Sequence, residues 1–356
     1  MIVSLLPMTE SRRKGSLPAN VHKIILSLLR FVLPLAALAY LVHALHGMPP
    51  GMHRLWLSSL QLNASSLLLL SLLLVLATLN WLLEAVKWKL LTAGLEAISL
   101  TTAFRGILYG VCLGFVTPKR SGEIAGRAMV LRSGNRISGM LVNTPGSLVQ
   151  LGVTLVGGLI SLFLVLSRWG SSPNPFPGTD AMSGTTLLLF PVAALALLTL
   201  LFVFAKPGLR WFLSRPASPA WSQKAVVLLD IGGKKLLVLV FLSVCRYLLF
   251  MLQFYLLLRL FQSPLPIQDC FVLLSVTYLV LAAVPLSALG EAGVRGAVVL
   301  LASGWITPGN LPPMMETGLV AGVMGLWLIN LVIPALAGGA LALAGGVPLN
   351  LRRALA

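Results

Sequence analysis

The chain has 356 residues, 58% of them hydrophobic and only 10% charged, with a mean hydropathy of +0.96. A soluble domain carries about 25% charged residues, so a soluble enzyme is excluded from the expected classes. The 26 Lys+Arg against 9 Asp+Glu would point to nucleic acid in a soluble protein, but here the charges are scattered between apolar runs with no basic domain to hold a duplex, and membrane orientation with attraction to anionic headgroups explains them.

In chain order, residues 1–23 carry Arg12, Arg13 and Lys14 and read as a cytoplasmic N-terminal segment. The apolar run 24–46 is too long for a signal peptide's hydrophobic region and reads as a retained first helix. Further long spans are expected at 66–91, 140–167, 184–205, 236–261 and 316–344, each reaching the ~20 residues that cross a hydrocarbon core. Two other stretches, 101–132 and 267–303, are apolar but broken by Pro, Gly and charge. Each reads as a re-entrant hairpin of two half-helices, because non-helical backbone at membrane depth survives only where protein or a wet cavity shields it.

The expected fold is therefore an all-α polytopic membrane protein with about six full transmembrane helices plus two re-entrant helical hairpins. One membrane domain covers 24–346, and residues 347–356 form a cytoplasmic tail. Within that domain, 206–235 reads as a basic interfacial cytoplasmic loop carrying Trp211, Phe212 and Trp221.

Orientation follows from the basic connections. The N-terminal cluster, Lys87, Lys89, Arg132, Arg136, the run from Lys206 to Lys235, and Arg352 with Arg353 fall on one side; Arg54, Arg168 and Arg259 fall on the other. The rich side is expected to be cytoplasmic, with both termini in the cytoplasm and the chain in the cell's inner (plasma) membrane. The parity holds only if both broken stretches return to the face they came from, the first entering from the cytoplasmic side and the second from the outer side.

Those two stretches resemble each other. Pro118 is followed by Gly122-Glu123 and Arg127, and Pro285 by Gly290-Glu291 and Arg295, each leading into an apolar run. Each follows a long span rich in aromatic residues, Trp81 and Trp88 in one, Tyr247, Phe254 and Tyr255 in the other. With opposite orientations the copies form an inverted repeat, about 66–167 and 236–344, a construction common in secondary transporters.

Charge at membrane depth costs about 2.5–3.5 kcal/mol per residue on insertion scales, so the charges kept there define the candidate site. Glu123 with Arg127, and Glu291 with Arg295, stand at i, i+4 on one helical face and can pair. One reading makes each pair a lock for its hairpin tip. The other brings the tips together near the midplane, where Lys119, Arg120, Arg127 and Arg295 face an anionic headgroup. Arginine suits that task because its planar fork matches phosphate.

Arg246, inside the fifth span, is expected to face the same cavity and to pair with a hairpin carboxylate. Glu84 and Lys87 are supporting candidates, Glu84 pairing with Lys87 or with Arg105; the alternative is an interfacial cluster of snorkelling side chains. Cys112, Cys245 and Cys270 have no CxxC spacing, and His43, His46 and His53 have no acids or thiols nearby, so no metal is expected. No nucleophile–base set or phosphate loop stands out, and neither a cofactor nor catalysis is expected.

The Pro118…Gly122-Glu123…Arg127 stretch, the Trp88 region before it, and Pro285…Gly290-Glu291-x-Gly293-Val294-Arg295 resemble the lysylphosphatidylglycerol synthase transmembrane region, also called the flippase-like domain family, over about 20 to 345. The best-known members join a lipid-flipping membrane domain to a cytosolic aminoacyl-transferase domain. The sequence ends at Ala356 without such a domain, so aminoacylation is not expected here. Many members carry Glu directly after the residue matching Arg295, where this chain has Gly296.

The resemblance implies translocation of an anionic lipid, either a phospholipid or a polyprenyl-phosphate-linked sugar. The alternative is a non-transporting membrane subunit that docks a lipid-modifying or glycosyl-transferring enzyme through its basic loop. Gly338, Gly339, Gly345 and Gly346 permit close helix packing, which is compatible with a homo-oligomer.

Overall fold

The computed structural model describes residues 63–117, 120–169, 232–261, 265–283, 288–306 and 313–346, with single positions 192 and 263. The spans expected at 24–46 and 184–205, most of the basic loop, the C-terminal tail, Lys119 and the histidines lie outside the described residues.

The described residues form helices joined by turns. They are α1 (Ala64–Thr92), α2 (Leu100–Val116), α3 (Gly122–Ala128), α4 (Arg136–Trp169), α5 (Gly233–Leu260), α6 (Ile267–Ala283), α7 (Ala288–Ile306), α8 (Pro313–Trp327) and α9 (Ile333–Leu341). A π-helical turn, Leu328–Val332, joins α8 to α9 without a break. Four segments are long and apolar enough to cross a membrane: Ala64–Thr92, Ser133–Val165, Gly233–Leu260 and Met315–Ala344. They coincide with four of the six expected spans, and the protein is a multi-pass membrane protein.

Local sequence explains the ends. Asn63 caps α1 by accepting from the Ser66 amide at 2.8 Å, and Ser99 caps α2 by accepting from the Thr102 amide at 3.0 Å. α2 has 17 residues and α3 has 7, about 25 Å and 10 Å of helix at 1.5 Å per residue, too short to serve as two ordinary spans. They fold back on each other instead. The order of contacts is antiparallel: Gly114 meets Glu123, Gly110 meets Glu123 and Arg127, and Gly106 meets Arg127 and Val130.

Glycine makes this approach possible. A Cβ on Gly126 would stand 2.6 Å from the Tyr109 carbonyl oxygen, and one on Gly110 would stand 2.7 Å from that of Glu123. Gly338 of α9 lies equally close, its Cβ position 2.1 Å from the Leu108 carbonyl oxygen. The small residues of the last helix therefore pack inside the chain, against α2.

α1 and α5 run antiparallel. Leu73 and Ala77 of α1 share one apolar cluster with Phe254, Leu257 and Leu258, whereas Ala85 and Trp88 share the other with Leu239. α6 and α7 form a second hairpin, with α6 packed along α4, where Gly158 admits Leu279.

The mouths of both hairpins are closed by hydrogen bonds. Glu96, just before α2, accepts from the Arg132 amide and from Asn135 Nδ2, both at 3.1 Å. Ser263, just before α6, donates to the Met315 carbonyl at 3.2 Å. The Glu96–Arg132 bond lies near the C-terminal end of α1 and the Ser263–Met315 bond near the C-terminal end of the antiparallel α5.

Candidate functional site

The turn between α2 and α3 holds Arg120 with φ 55°, a left-handed conformation that is unusual for a residue with a Cβ. This turn aims Arg120 back along the hairpin, where it pairs with Glu123 Oε2 at 2.9 Å. One turn further on, Glu123 Oε1 accepts from Arg127. Arg127 is only 6% exposed and reaches out of the hairpin: it donates to Glu84 of α1 at 2.5 Å and to Asn143 of α4 at 3.0 Å.

Glu84 is the hub. Besides Arg127 it holds Arg246 of α5 and, at 3.2 Å, Lys87. Arg246 also donates to Asn80 at 2.9 Å and stacks over the Trp81 ring at 5.5 Å. Lys87 and Arg246 both reach the amide oxygen of Gln150, at 3.3 and 3.4 Å. The polar chain continues into the core, from Asn80 to Asn330 at 3.1 Å and from Asn330 to Gln253 at 2.7 Å. Asn330 sits in the π-helical turn, whose widened backbone leaves the Asn330 carbonyl to accept from Trp81 Nε1 at 3.1 Å.

On the second hairpin Arg295 pairs with Glu291 at 2.9 Å, lies over the Tyr278 ring at 5.3 Å, and donates to the Tyr278 hydroxyl at 3.4 Å. Tyr278 is held in turn by an edge contact with Phe250, ring centroids 5.9 Å apart.

These groups converge. A cavity of about 550 Å³ is lined by Arg120, Glu123 and Arg127 from the first hairpin and by Glu291 and Arg295 from the second. Glu84, Arg246, Gln150 and Thr154 are among the other polar residues of its wall, and Trp81, Phe250, Tyr278 and Trp327 supply aromatic surface. Such a space is within the range that takes a small molecule or a lipid headgroup, and its convergent guanidinium groups are chemically suited to a phosphate.

Two sequence expectations need correction. Arg246 pairs with Glu84 rather than with a hairpin carboxylate, because α5 packs along α1. The Glu84–Lys87–Trp88 group is not an interfacial snorkelling cluster: the three residues are 6%, 1% and 0% exposed. Of the two partners expected for Glu84, Lys87 is one, and Arg105 is instead an exposed residue of α2. Cys112, Cys245 and Cys270 are free thiols, and no cluster of metal-binding side chains occurs among the described residues.

A family model described as the Lysylphosphatidylglycerol synthase TM region matches residues 28–315. The chain belongs to this family. No curated protein and no solved structure matches the chain. The matched part of this lysylphosphatidylglycerol synthase TM-region protein holds both hairpins and every charged residue of the cavity wall named above; Trp327 and Asn330 lie beyond it.

Sequence reasoning missed the neutral half of this family member's site. Asn80, Gln150, Gln253 and Asn330 were legible in one respect, since each is a large amide side chain inside one of the four expected spans that the structure describes. A polar group that cannot meet water in hydrocarbon must find a partner within the protein.

Proposed function

We propose that this membrane protein binds an anionic lipid and carries its headgroup across the bilayer through the cavity between the two hairpins, with no covalent chemistry of its own. The observation that carries the reading is that Arg127 and Arg295, from separate hairpins, line one cavity together. In hydrocarbon, charges are retained where they face partners or a wet pathway, and a phosphate matches the guanidinium fork.

The reading makes both hairpins re-entrant and treats the two halves as an inverted repeat. It draws support from the closed mouths at Glu96–Arg132 and Ser263–Met315 and from the antiparallel α1 and α5. Access then alternates as one half rocks against the other around a fixed headgroup site. Both termini and the basic loop face the cytoplasm in this arrangement, the loop resting on the anionic leaflet.

The test uses the full chain in proteoliposomes with acyl-chain-labelled phosphatidylglycerol, reading loss of signal when an impermeant reagent quenches the outer leaflet. Arg127→Gln and Arg295→Gln are each expected to slow movement roughly tenfold or more, the scale of losing one charge-assisted hydrogen bond. Unchanged movement in both variants removes the reading. Loss of movement only when the basic loop is neutralised would favour a docking subunit instead.

A further inference from the structure

We infer that entry of a headgroup phosphate is coupled to a proton: the phosphate takes Arg295, and Glu291, released from that arginine, takes a proton from water. The inference rests on the lipid reading above and adds a coupling ion to it.

The first ground is how unequally the three carboxylates of the cavity are held. Glu84 pairs with Arg127, Arg246 and Lys87, and Glu123 pairs with Arg120 and Arg127. Among the described residues Glu291 pairs with Arg295 alone, through Oε2, and its Oε1 has no partner. Glu84 and Glu123 each keep a counter-ion when any one arginine turns to a ligand. Glu291 keeps none. A carboxylate left without a cation at membrane depth is driven toward its neutral form.

The second ground is which arginine can turn. Arg127 is tied to Glu84 on α1, Asn143 on α4 and Glu123 on α3, so a ligand that took it over would loosen several helices at once. Arg295 bonds within its own hairpin, to Glu291 at 2.9 Å and to the Tyr278 hydroxyl at 3.4 Å. Among the described residues, exchange at Arg295 breaks no side-chain bond that joins the second hairpin to another helix. Arg295 Nε is buried and has no acceptor there, and a phosphate offers oxygens to both edges of the guanidinium.

The third ground is the space around α7. A Cβ on Gly296, next to Arg295, would meet nothing closer than 3.5 Å, and one on Gly304 would meet nothing within 4 Å. In the first hairpin, by contrast, Gly110 and Gly126 are closed to 2.7 and 2.6 Å. The second tip therefore has room to shift as its ion pair opens.

The titratable groups that share the cavity with Glu291 leave the proton to it. Arg246 and Tyr247 come from α5, Tyr278 from α6, Arg120, Glu123 and Arg127 from the first hairpin, and Glu84 from α1; α4 and α8 add no titratable side chain to the wall. The proton arrives from water at Glu291 Oε1. The neutral carboxyl then donates through that O–H to a phosphate oxygen. A singly charged phosphodiester and its proton thus occupy the cavity together and add no net charge.

The experiment adds phosphatidylglycerol to the purified full chain in weakly buffered detergent with a pH indicator, detergent without protein serving as the blank. Binding is expected to take up about one proton per lipid, and affinity to fall by up to about tenfold per pH unit as pH rises, because the bound state holds the extra proton. In Glu291→Gln the ratio of protons to bound lipid is expected to drop to near zero whatever its affinity, and that affinity no longer varies with pH. Glu291→Asp is expected to restore the uptake.

Lipid binding by the unaltered protein without proton uptake overturns the coupling and leaves the lipid reading standing. Undiminished uptake in folded Glu291→Gln overturns the role of Glu291. If Glu291→Gln does not fold, the proton count of the unaltered protein and of Glu291→Asp decides. Failure of phosphatidylglycerol to bind at all removes the lipid reading itself, and the coupling with it.

Discussion

Glu84 accepts from Arg127 at 2.5 Å and, through its other oxygen, from Arg246, 162 positions later in the chain. One carboxylate thereby ties the first hairpin to α1 and α1 to α5. The arrangement places an acid that pairs with three buried cations on a long span, outside the two repeated motifs.

Glu84→Gln removes the shared counter-ion of three buried cations. Breaking a buried ion pair from one side costs about 3–5 kcal/mol, and a loss of that size is expected in unfolding titrations of the detergent-solubilised protein. Arg246→Gln is expected to cost a similar amount. The double variant should then lose clearly less than the two singles together, because partners in one network couple by about 0.5–3 kcal/mol. Strict additivity would contradict the hub.

The glycine contacts of the first hairpin give a graded series. Gly126→Ala places a methyl 2.6 Å from the Tyr109 carbonyl oxygen, so the backbones must separate, at about 1–3 kcal/mol. Gly134→Ala meets nothing within 4 Å and is expected to change stability by less than about 0.5 kcal/mol. Thermal unfolding of the two variants checks the difference.

Tyr278 offers a dissection at the second hairpin. Tyr278→Phe removes the hydroxyl that accepts from Arg295 at 3.4 Å and keeps the ring 5.3 Å from the guanidinium. Tyr278→Leu removes both. Cation–π contacts contribute about 0.5–2 kcal/mol, so lipid movement is expected to fall modestly in the first variant and several-fold more in the second. An equal loss in both would assign the effect to the hydroxyl.

Arg120 carries backbone strain at φ 55°, a conformation that costs about 1–2 kcal/mol for residues with a Cβ and nothing comparable for glycine. Its ion pair with Glu123 is partly exposed, the two side chains 28% and 17% accessible. Arg120→Gly is therefore expected to leave thermal stability level or slightly raised while weakening phosphatidylglycerol binding. A large stability loss with unchanged binding would make Arg120 a structural lock.

Cysteine labelling tests whether the hairpins re-enter. In a background lacking the native cysteines, Ala97→Cys and Ser133→Cys stand at exposed positions beside the first mouth, and Gln268→Cys and Glu316→Cys at exposed positions by the second. An impermeant thiol reagent is expected to reach the first pair from one face only and the second pair from the other. Labelling of Ala97→Cys and Ser133→Cys from opposite faces would mean that the first hairpin crosses the bilayer.

The helical class, four of the spans and the i, i+4 pairing of Glu123 with Arg127 and of Glu291 with Arg295 could be read from residue order, because hydrophobic length and helical spacing are local properties of the chain. So could the glycines of α2 and α3, whose small size announces a close neighbour. Which neighbour was not legible. Gly338 meets Leu108 and Arg246 meets Glu84 through packing between elements far apart in sequence, and periodicity is silent about that. Tertiary structure alone decided that Glu84 is a buried hub and that Arg127 and Arg295 share one cavity. Apolar burial is non-directional, so it commits helices to the membrane without naming their partners, and the directional bonds of guanidinium, carboxylate and amide, with the close approaches that glycine permits, fix which faces meet.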